Sequence, residues 1–392
     1  MTTEKLYYKD AYLKEFEAQV TDIYERDGRL FAVLDRTAFY PEGGGQPGDR
    51  GKIINSCGDT AEVLYTYENG DLVEHELSRK GCIPSTGDKV TGIIDWENRF
   101  DHMQQHSGEH IVSGMICSRF NCDNVGFHMG AVMVEIDFNA KITAEELAEI
   151  EKAANRYIAE DHKFISQWPS KEELKNIEYR SKKELDGDVR IASFPGADTC
   201  ACCGTHVSGS AQVGLVKFLS AEGFKGGTRI EVKFGKRAFS HLSMAYEQNK
   251  AIGVLLSAKE DRTFEYVKKH MEELSAERYR TGALEEELIE TVSDRYRDAG
   301  DVLLIIRSSA PDYIRKLATR ISEKSKGCAA VFSGEDMSYK YAVAGPEGEV
   351  PDLNRQITQS LDGRGGGRGG FAQGAVNADC VQIEGFWKKA GE

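Results

Sequence analysis

A chain of 392 residues, 40% hydrophobic and 29% charged, is long enough for two or three cored domains and has the composition of a soluble globular protein. Its net charge of −14 confines any nucleic-acid binding to a local basic patch, and composition alone favours a small-molecule enzyme. Met-Thr-Thr-Glu-Lys has no apolar run behind it and no stretch approaches 18 consecutive apolar residues, so neither a signal peptide nor a membrane span is expected. Nine cysteines, scattered apart from Cys200, Cys202 and Cys203, argue for reduced thiols in the cytoplasm rather than a disulfide framework.

Residues 1–90 read as strands and turns. Ala18-Gln-Val-Thr-Asp-Ile-Tyr24 and Arg29-Leu-Phe-Ala-Val-Leu-Asp35 alternate or run apolar between turn signals, and further strands are expected at Lys52–Asn55, Ala61–Tyr65, Asp71–His75 and Lys89–Asp95. Strands this short and closely spaced suggest a small barrel. Between them lies Phe39-Tyr-Pro-Glu-Gly-Gly-Gly-Gln-Pro-Gly-Asp-Arg-Gly51, which cannot be a helix or a regular strand. It is either a long turn or a loop whose backbone approaches a ligand closely, since glycine has no Cβ to block it.

From Trp96 the pattern becomes α+β. Asp101–Gly114 reads as a helix, followed by strands at Asn124–Gly130 and Ala131–Asp137. Thr143 and Glu146 form a capping box that opens a helix to about Asp161, with Leu147, Ile150, Ala154 and Ile158 inward. Ser170 to about Lys183 reads as another helix, and strands are expected at Val189–Phe194, Gly214–Leu219 and Gly227–Gly235. Residues 238–299 lack proline and carry apolar residues at helical spacing, predicting one or two long exposed helices: a spacer or dimer seam, or a solvated hairpin with no partner. After Gly300 comes strand, helix, strand, strand, closing on Gly363-Arg-Gly-Gly-Gly-Arg-Gly-Gly-Phe371.

The chemistry gathers at His106-Ser-Gly-Glu-His110 and Cys202-Cys-Gly-Thr-His206. Two histidines four apart on a helix share one face, and a cysteine and histidine four apart across a Gly-Thr turn can complete a tetrahedron. Imidazole and thiolate are ligands zinc prefers, so His106, His110, Cys202 and His206 are the expected zinc site. Cys200 and Cys203 compete as thiols; Cys202 is preferred because its step to His206 mirrors the helical pair. Glu109, beside His110, is expected to point away into a hydrogen bond of its own. A rival reading takes His-x-x-Glu-His as an inverted zinc-peptidase signature with Glu109 as base. It leaves Cys202, His206 and both glycine-rich segments unexplained. Arg364 and Arg368, in a glycine strip, suit pairing with phosphates, with Phe371 available to stack; the alternative is a flexible solvated loop.

Phe39-Tyr-Pro-Glu-Gly-Gly-Gly-Gln-Pro-Gly-Asp49, then His106-x-x-x-His110, then Cys202-Cys-Gly-Thr-His206, together resemble the editing domain of alanyl-tRNA synthetase and its free-standing relatives, the AlaX-type alanyl-tRNA editing proteins. The arginine-glycine end resembles the DHH-associated RNA-binding domain behind such editing domains, so the chain looks like the long, trans-acting form. The resemblance implies an α+β protein: a β-barrel over 1–90, a zinc-binding editing domain over 91–237, a helical linker or coiled coil over 238–299 and the DHH-associated α/β domain over 300–392. It implies a hydrolase that removes serine, and by extension glycine, from mischarged alanine tRNA, with zinc on His106, His110, Cys202 and His206. By the same correspondence Thr37 recognises the serine hydroxyl, Gln46 lines that pocket, and Arg364 and Arg368 bind tRNA. A homodimer through the C-terminal half is compatible with it. Cys203 stands where the family usually has glycine. A non-catalytic tRNA-binding module with a structural zinc is the remaining alternative.

Overall fold

The structure is a computed structural model describing residues 2–181 and 188–390. It divides into two compact units, Met1–Lys250 and Ala251–Glu392.

The first unit opens with a closed barrel in the order Glu15–Arg26, Arg29–Leu34, Leu72–Gly81, Thr60–Asn69, Gly51–Asn55 and Lys89–Ile94, every neighbouring pair antiparallel. Alternation explains it: along Glu15–Arg26 every second residue at the start is buried, so Phe16, Ala18 and Val20 enter a core shared with Leu34, Ile53, Val63 and Val90. Each large apolar side chain so buried stabilises the unit by roughly 1.5–3 kcal/mol. Closure leaves no strand edge open. Residues 38–50, the glycine-rich segment, carry no regular element, as expected.

Trp96–Phe120 is a longer helix than the 101–114 expected, because Asp95 caps it by accepting a hydrogen bond from Asn98 N–H and Asn121 ends it in the left-handed conformation. It packs with the Ala144–Ala159 helix, whose Thr143/Glu146 capping box is present, against a sheet ordered Val216–Phe224, Gly227–Phe234, Val134–Phe138, Asn124–Met129. Ile111, Val112, Phe138, Ile150 and Phe234 form the centre of that core. A smaller sheet of Ile165–Gln167, Ile191–Phe194 and Asp198–Ala201 leads into the cysteine motif. The expected helix from Ser170 has its capping box but spans only Lys171–Leu174; its expected end at Lys183 lies outside the described residues. A capping box sets where a helix starts, not how far it runs.

The barrel and the zinc-motif region, read from sequence as separate, lie in one compact unit. Two helices occupy the 238–299 stretch, Gly235–Leu256 and Thr263–Asp294. The end of the second is no free spacer: Ile289 is buried and Val292 packs with it in the core of the second unit.

That unit is a five-stranded sheet ordered Val302–Ile306, Ala329–Glu335, Ser338–Ala344, Phe371–Val376, Gly363–Arg368. Its first pair is parallel, joined by the Pro311–Lys324 helix, and the rest are antiparallel. Ala330 and Phe332 face one core with Ile357 and Ile383, while Ala329 and Val331 face another with Ile314, Leu317 and Ile321. Burial on both faces is why Ala329-Ala-Val-Phe332 runs apolar without alternating. The arginine-glycine strip is a correction to the loop reading: Gly363–Arg368 is a strand paired with Phe371–Val376, because the neighbour supplies hydrogen bonds that composition does not reveal.

Candidate metal centre

His106 and His110 stand one turn apart on the Trp96–Phe120 helix, and Cys202 and His206 follow the Asp198–Ala201 strand. One ligand atom from each lies within 4.8 Å of all the others. Cys202 Sγ is 3.4 Å from Nε2 of both His106 and His206. The structure therefore brings together all four residues named from sequence.

What holds the three rings is not local in sequence. His106 Nδ1 donates to Gln46 Oε1 at 2.9 Å, His110 Nδ1 to Asp198 Oδ2 at 2.8 Å, and His206 Nδ1 to Ser107 Oγ at 3.3 Å. With each Nδ1–H engaged outward, each Nε2 lone pair is left for the interior, the tautomer a metal ligand needs. Burial opposes a Cys202 thiolate, but His106, His206 and His110 around it outweigh burial and hold the thiol well below its ordinary range. Both carboxylate oxygens of Asp198 are in turn gripped by one edge of Arg180, at 2.7 and 2.8 Å. Burial favours its protonated form, yet His110 and Arg180 keep it an anion. Three imidazole nitrogens and one sulfur, fixed by outer partners, are a donor set that suits zinc.

Close approach fixes the rest. A Cβ on Gly204 would run into the His106 ring, so the turn between Cys202 and His206 can lie against the helix only with glycine there. Gln46 is fully buried; beyond His106, its Oε1 accepts from Thr205 N–H at 3.0 Å and its Nε2 donates to Thr205 Oγ1 at 2.8 Å. The glycine loop is thereby fastened to the cysteine motif. Its far end is clamped to the helix by Asp49 and Arg99, an ion pair with both side chains fully buried. Arg99 also donates to the carbonyls of Ala11 and Ala38, and Asp49 accepts from Tyr40 N–H. Phe127 and Phe164 stack on His106 and His206, with ring centroids 5.5 and 4.7 Å apart.

Other expected residues fall as follows. Cys203 is exposed, with its thiol against the Tyr8 hydroxyl, and Cys200 groups with His110 and Asp198 instead of the four. Glu109 is buried, accepting from Ser113 Oγ at 2.8 Å and Asn124 Nδ2 at 2.6 Å. Thr37 is fully buried against the barrel strand that carries His75. His75 Nδ1 donates to the Ala32 carbonyl, so its Nε2 accepts from the Thr37 hydroxyl at 2.8 Å, while Phe39 N–H donates to the same oxygen. Arg364 and Arg368 lie on the exposed strand, and Phe371 packs partly into the core. Sequence reading missed Ser107, Arg180, Asp198 and Thr205; only Ser107 and Thr205 had a signal, their place inside the two motifs.

Residues 2–98 match the family model of class II tRNA synthetases (A), and residues 189–231 that of the threonyl and alanyl tRNA synthetase second additional domain. The chain is 28% identical to the alanyl-tRNA editing protein AlaX-L of Pyrococcus horikoshii, over 97% of this chain and 96% of that protein. It is 38% identical to the alanyl-tRNA editing protein AlaX-M of Methanosarcina mazei, over 55% of this chain and 89% of that protein. It is 30% identical to the alanine–tRNA ligase of Thermofilum pendens, over 96% of this chain but only 42% of the ligase. This chain belongs to the alanyl-tRNA editing protein family.

Proposed function

We propose that the protein is an aminoacyl-tRNA deacylase acting in trans on alanine tRNA that carries serine or glycine, with zinc held by His106, His110, Cys202 and His206. The observation that carries this is the convergence of three outward-anchored imidazoles and one sulfur beside the glycine loop. Serine differs from alanine by one hydroxyl, which a small apolar pocket rejects weakly, so a second hydrolytic site has a purpose.

Bound zinc would supply Lewis-acid polarisation or a firm grip on the substrate's amino group. The chain's own residues do the positioning. Gln46, Asp198 and Ser107 fix the ring planes, and Phe127 and Phe164 shield two of the rings from water. Cleaving an ester demands less than cleaving an amide, so a well-placed water suffices. The peptidase reading is disfavoured because Glu109, its required base, is held by Ser113 and Asn124. Arg364 and Arg368 are proposed to pair with tRNA phosphates from an exposed strand.

The test is deacylation of serine-charged alanine tRNA by zinc-loaded protein, with Cys202→Ala and Cys203→Ala alongside. Hydrolysis and bound zinc should disappear with Cys202 and persist without Cys203. Charged tRNA left intact, with peptides cleaved, would overturn the reading; tRNA binding without turnover would leave a structural zinc.

A further inference from the structure

Arg190 is 6% exposed and has no carboxylate partner among the described residues. One nitrogen donates to the Cys202 carbonyl at 3.1 Å and the Gly204 carbonyl at 2.8 Å, so the guanidinium touches the turn that carries the sulfur ligand. Its Nε is buried with no acceptor. A buried cation is normally matched by an anion, and one kept unmatched against a functional turn is suited to an anion that arrives.

Its surroundings indicate which anion. The guanidinium lies 5.5 Å from the Tyr8 ring centroid and 5.9 Å from that of Phe164, which itself stacks on His206. Tyr8 meets Trp168 edge to face at 5.3 Å, and Trp168 is 49% exposed. Beside Trp168 is a cavity of about 430 Å³ lined by Gln167, Trp168, Pro169, Glu173, Asn176 and Ile177. The carboxylate whose field reaches Tyr8, that of Glu68, is already taken by Lys5. A cation, an open indole and a polar-lined cavity, joined by successive contacts to the turn that carries Cys202, are what a single-stranded nucleotide end needs: a partner for phosphate and a face for a base.

We propose that Arg190, Tyr8 and Trp168 form the seat of the tRNA's terminal nucleotide, Arg190 pairing with its phosphate and Trp168 stacking on its base. This rests on the editing reading above. The seat fixes the ester relative to the zinc ligands, because Arg190 binds the backbone of Cys202 and Gly204 directly.

The experiment titrates the full-length, zinc-loaded protein with two uncharged hairpin RNAs, one with the complete single-stranded 3′ end and one lacking the terminal adenosine. Trp168→Ala should weaken binding of the complete RNA about tenfold and leave the shortened RNA nearly unaffected. Arg190→Gln should lower the slope of log affinity against log salt by about one, with zinc content unchanged. Equal effects of Trp168→Ala on both RNAs, or none on either, would overturn the seat. If Arg190→Gln loses zinc or misfolds, the Trp168 comparison still decides, since that side chain is half exposed. Hydrolysis of seryl-tRNA, measured alongside, separates the two failures. No hydrolysis by wild type refutes the editing reading, whereas hydrolysis with unchanged RNA discrimination refutes the seat alone.

Discussion

Two regions of this molecule use arginine in opposite ways. Around the candidate metal centre Arg99 is fully buried, paired with Asp49 and bonded to two carbonyls, and Gly204 is crowded by the His106 ring. On the Gly363–Arg368 strand, Arg364 and Arg368 are exposed, and Gly366 has open space around its Cα. In the first region the charge is a structural part whose loss is felt by the fold. In the second the arginines are solvated and the fold leans on them little, although Gly363, Gly365 and Gly367 beside them are crowded, as Gly204 is.

That contrast can be broken, first and most heavily, at Asp49. Asp49→Ala leaves Arg99 buried without its partner and should cost about 3–5 kcal/mol in urea unfolding. A loss below about 1 kcal/mol would put the clamp in the solvated class. Next comes pH. Burial holds His75 down to about 4, so the folded unit keeps it neutral while the unfolded chain protonates near 6.5. Its contribution is complete above about pH 6.5 and falls away between 6.5 and 4, by roughly 3 kcal/mol. His75→Gln should flatten that part of the stability curve; an unchanged slope would assign it to other groups. At the candidate metal centre, Asp198→Ala removes the acceptor of His110 Nδ1 and should weaken the proposed zinc binding about 10–100-fold in competition with a chelator. The smallest change in stability belongs to the other region. Arg364→Gln and Arg368→Gln should each stay within about 0.5 kcal/mol of wild type in unfolding while lowering the salt slope of tRNA binding by about one. A stability loss comparable to that of Asp49→Ala would erase the distinction.

The sequence made the four-residue cluster legible because its spacing is local: His-x-x-x-His on a helix and Cys-x-x-x-His across a glycine turn each declare a pair. Barrel strands were legible from alternation, and the Thr143 capping box placed a helix start correctly. The anchors of the rings were not legible, since Gln46 and Asp198 lie 60 and 88 residues from the histidines they hold. Gln46 was read as a pocket residue from the family resemblance; its bonds to His106 and Thr205 are what the fold adds. Helix Val350–Ser360 lies where the sequence reading placed no element, although Val350 and Ile357 are buried at helical spacing. Gly363–Arg368 was read as a loop because six residues with four glycines carry no strand propensity of their own.

The position of that strand has a consequence for how the protein behaves in concentrated solution. It is the outer strand of its sheet, so one side presents unpaired N–H and C=O groups to any chain that can add to them. Arg364 and Arg368 are an even number of residues apart and share one face of it. Their charges repel a second copy approaching the same edge, and the glycines between them offer little side-chain surface to grip. Neutralising both arginines would therefore uncover a self-association hazard, visible as light scattering that rises with concentration.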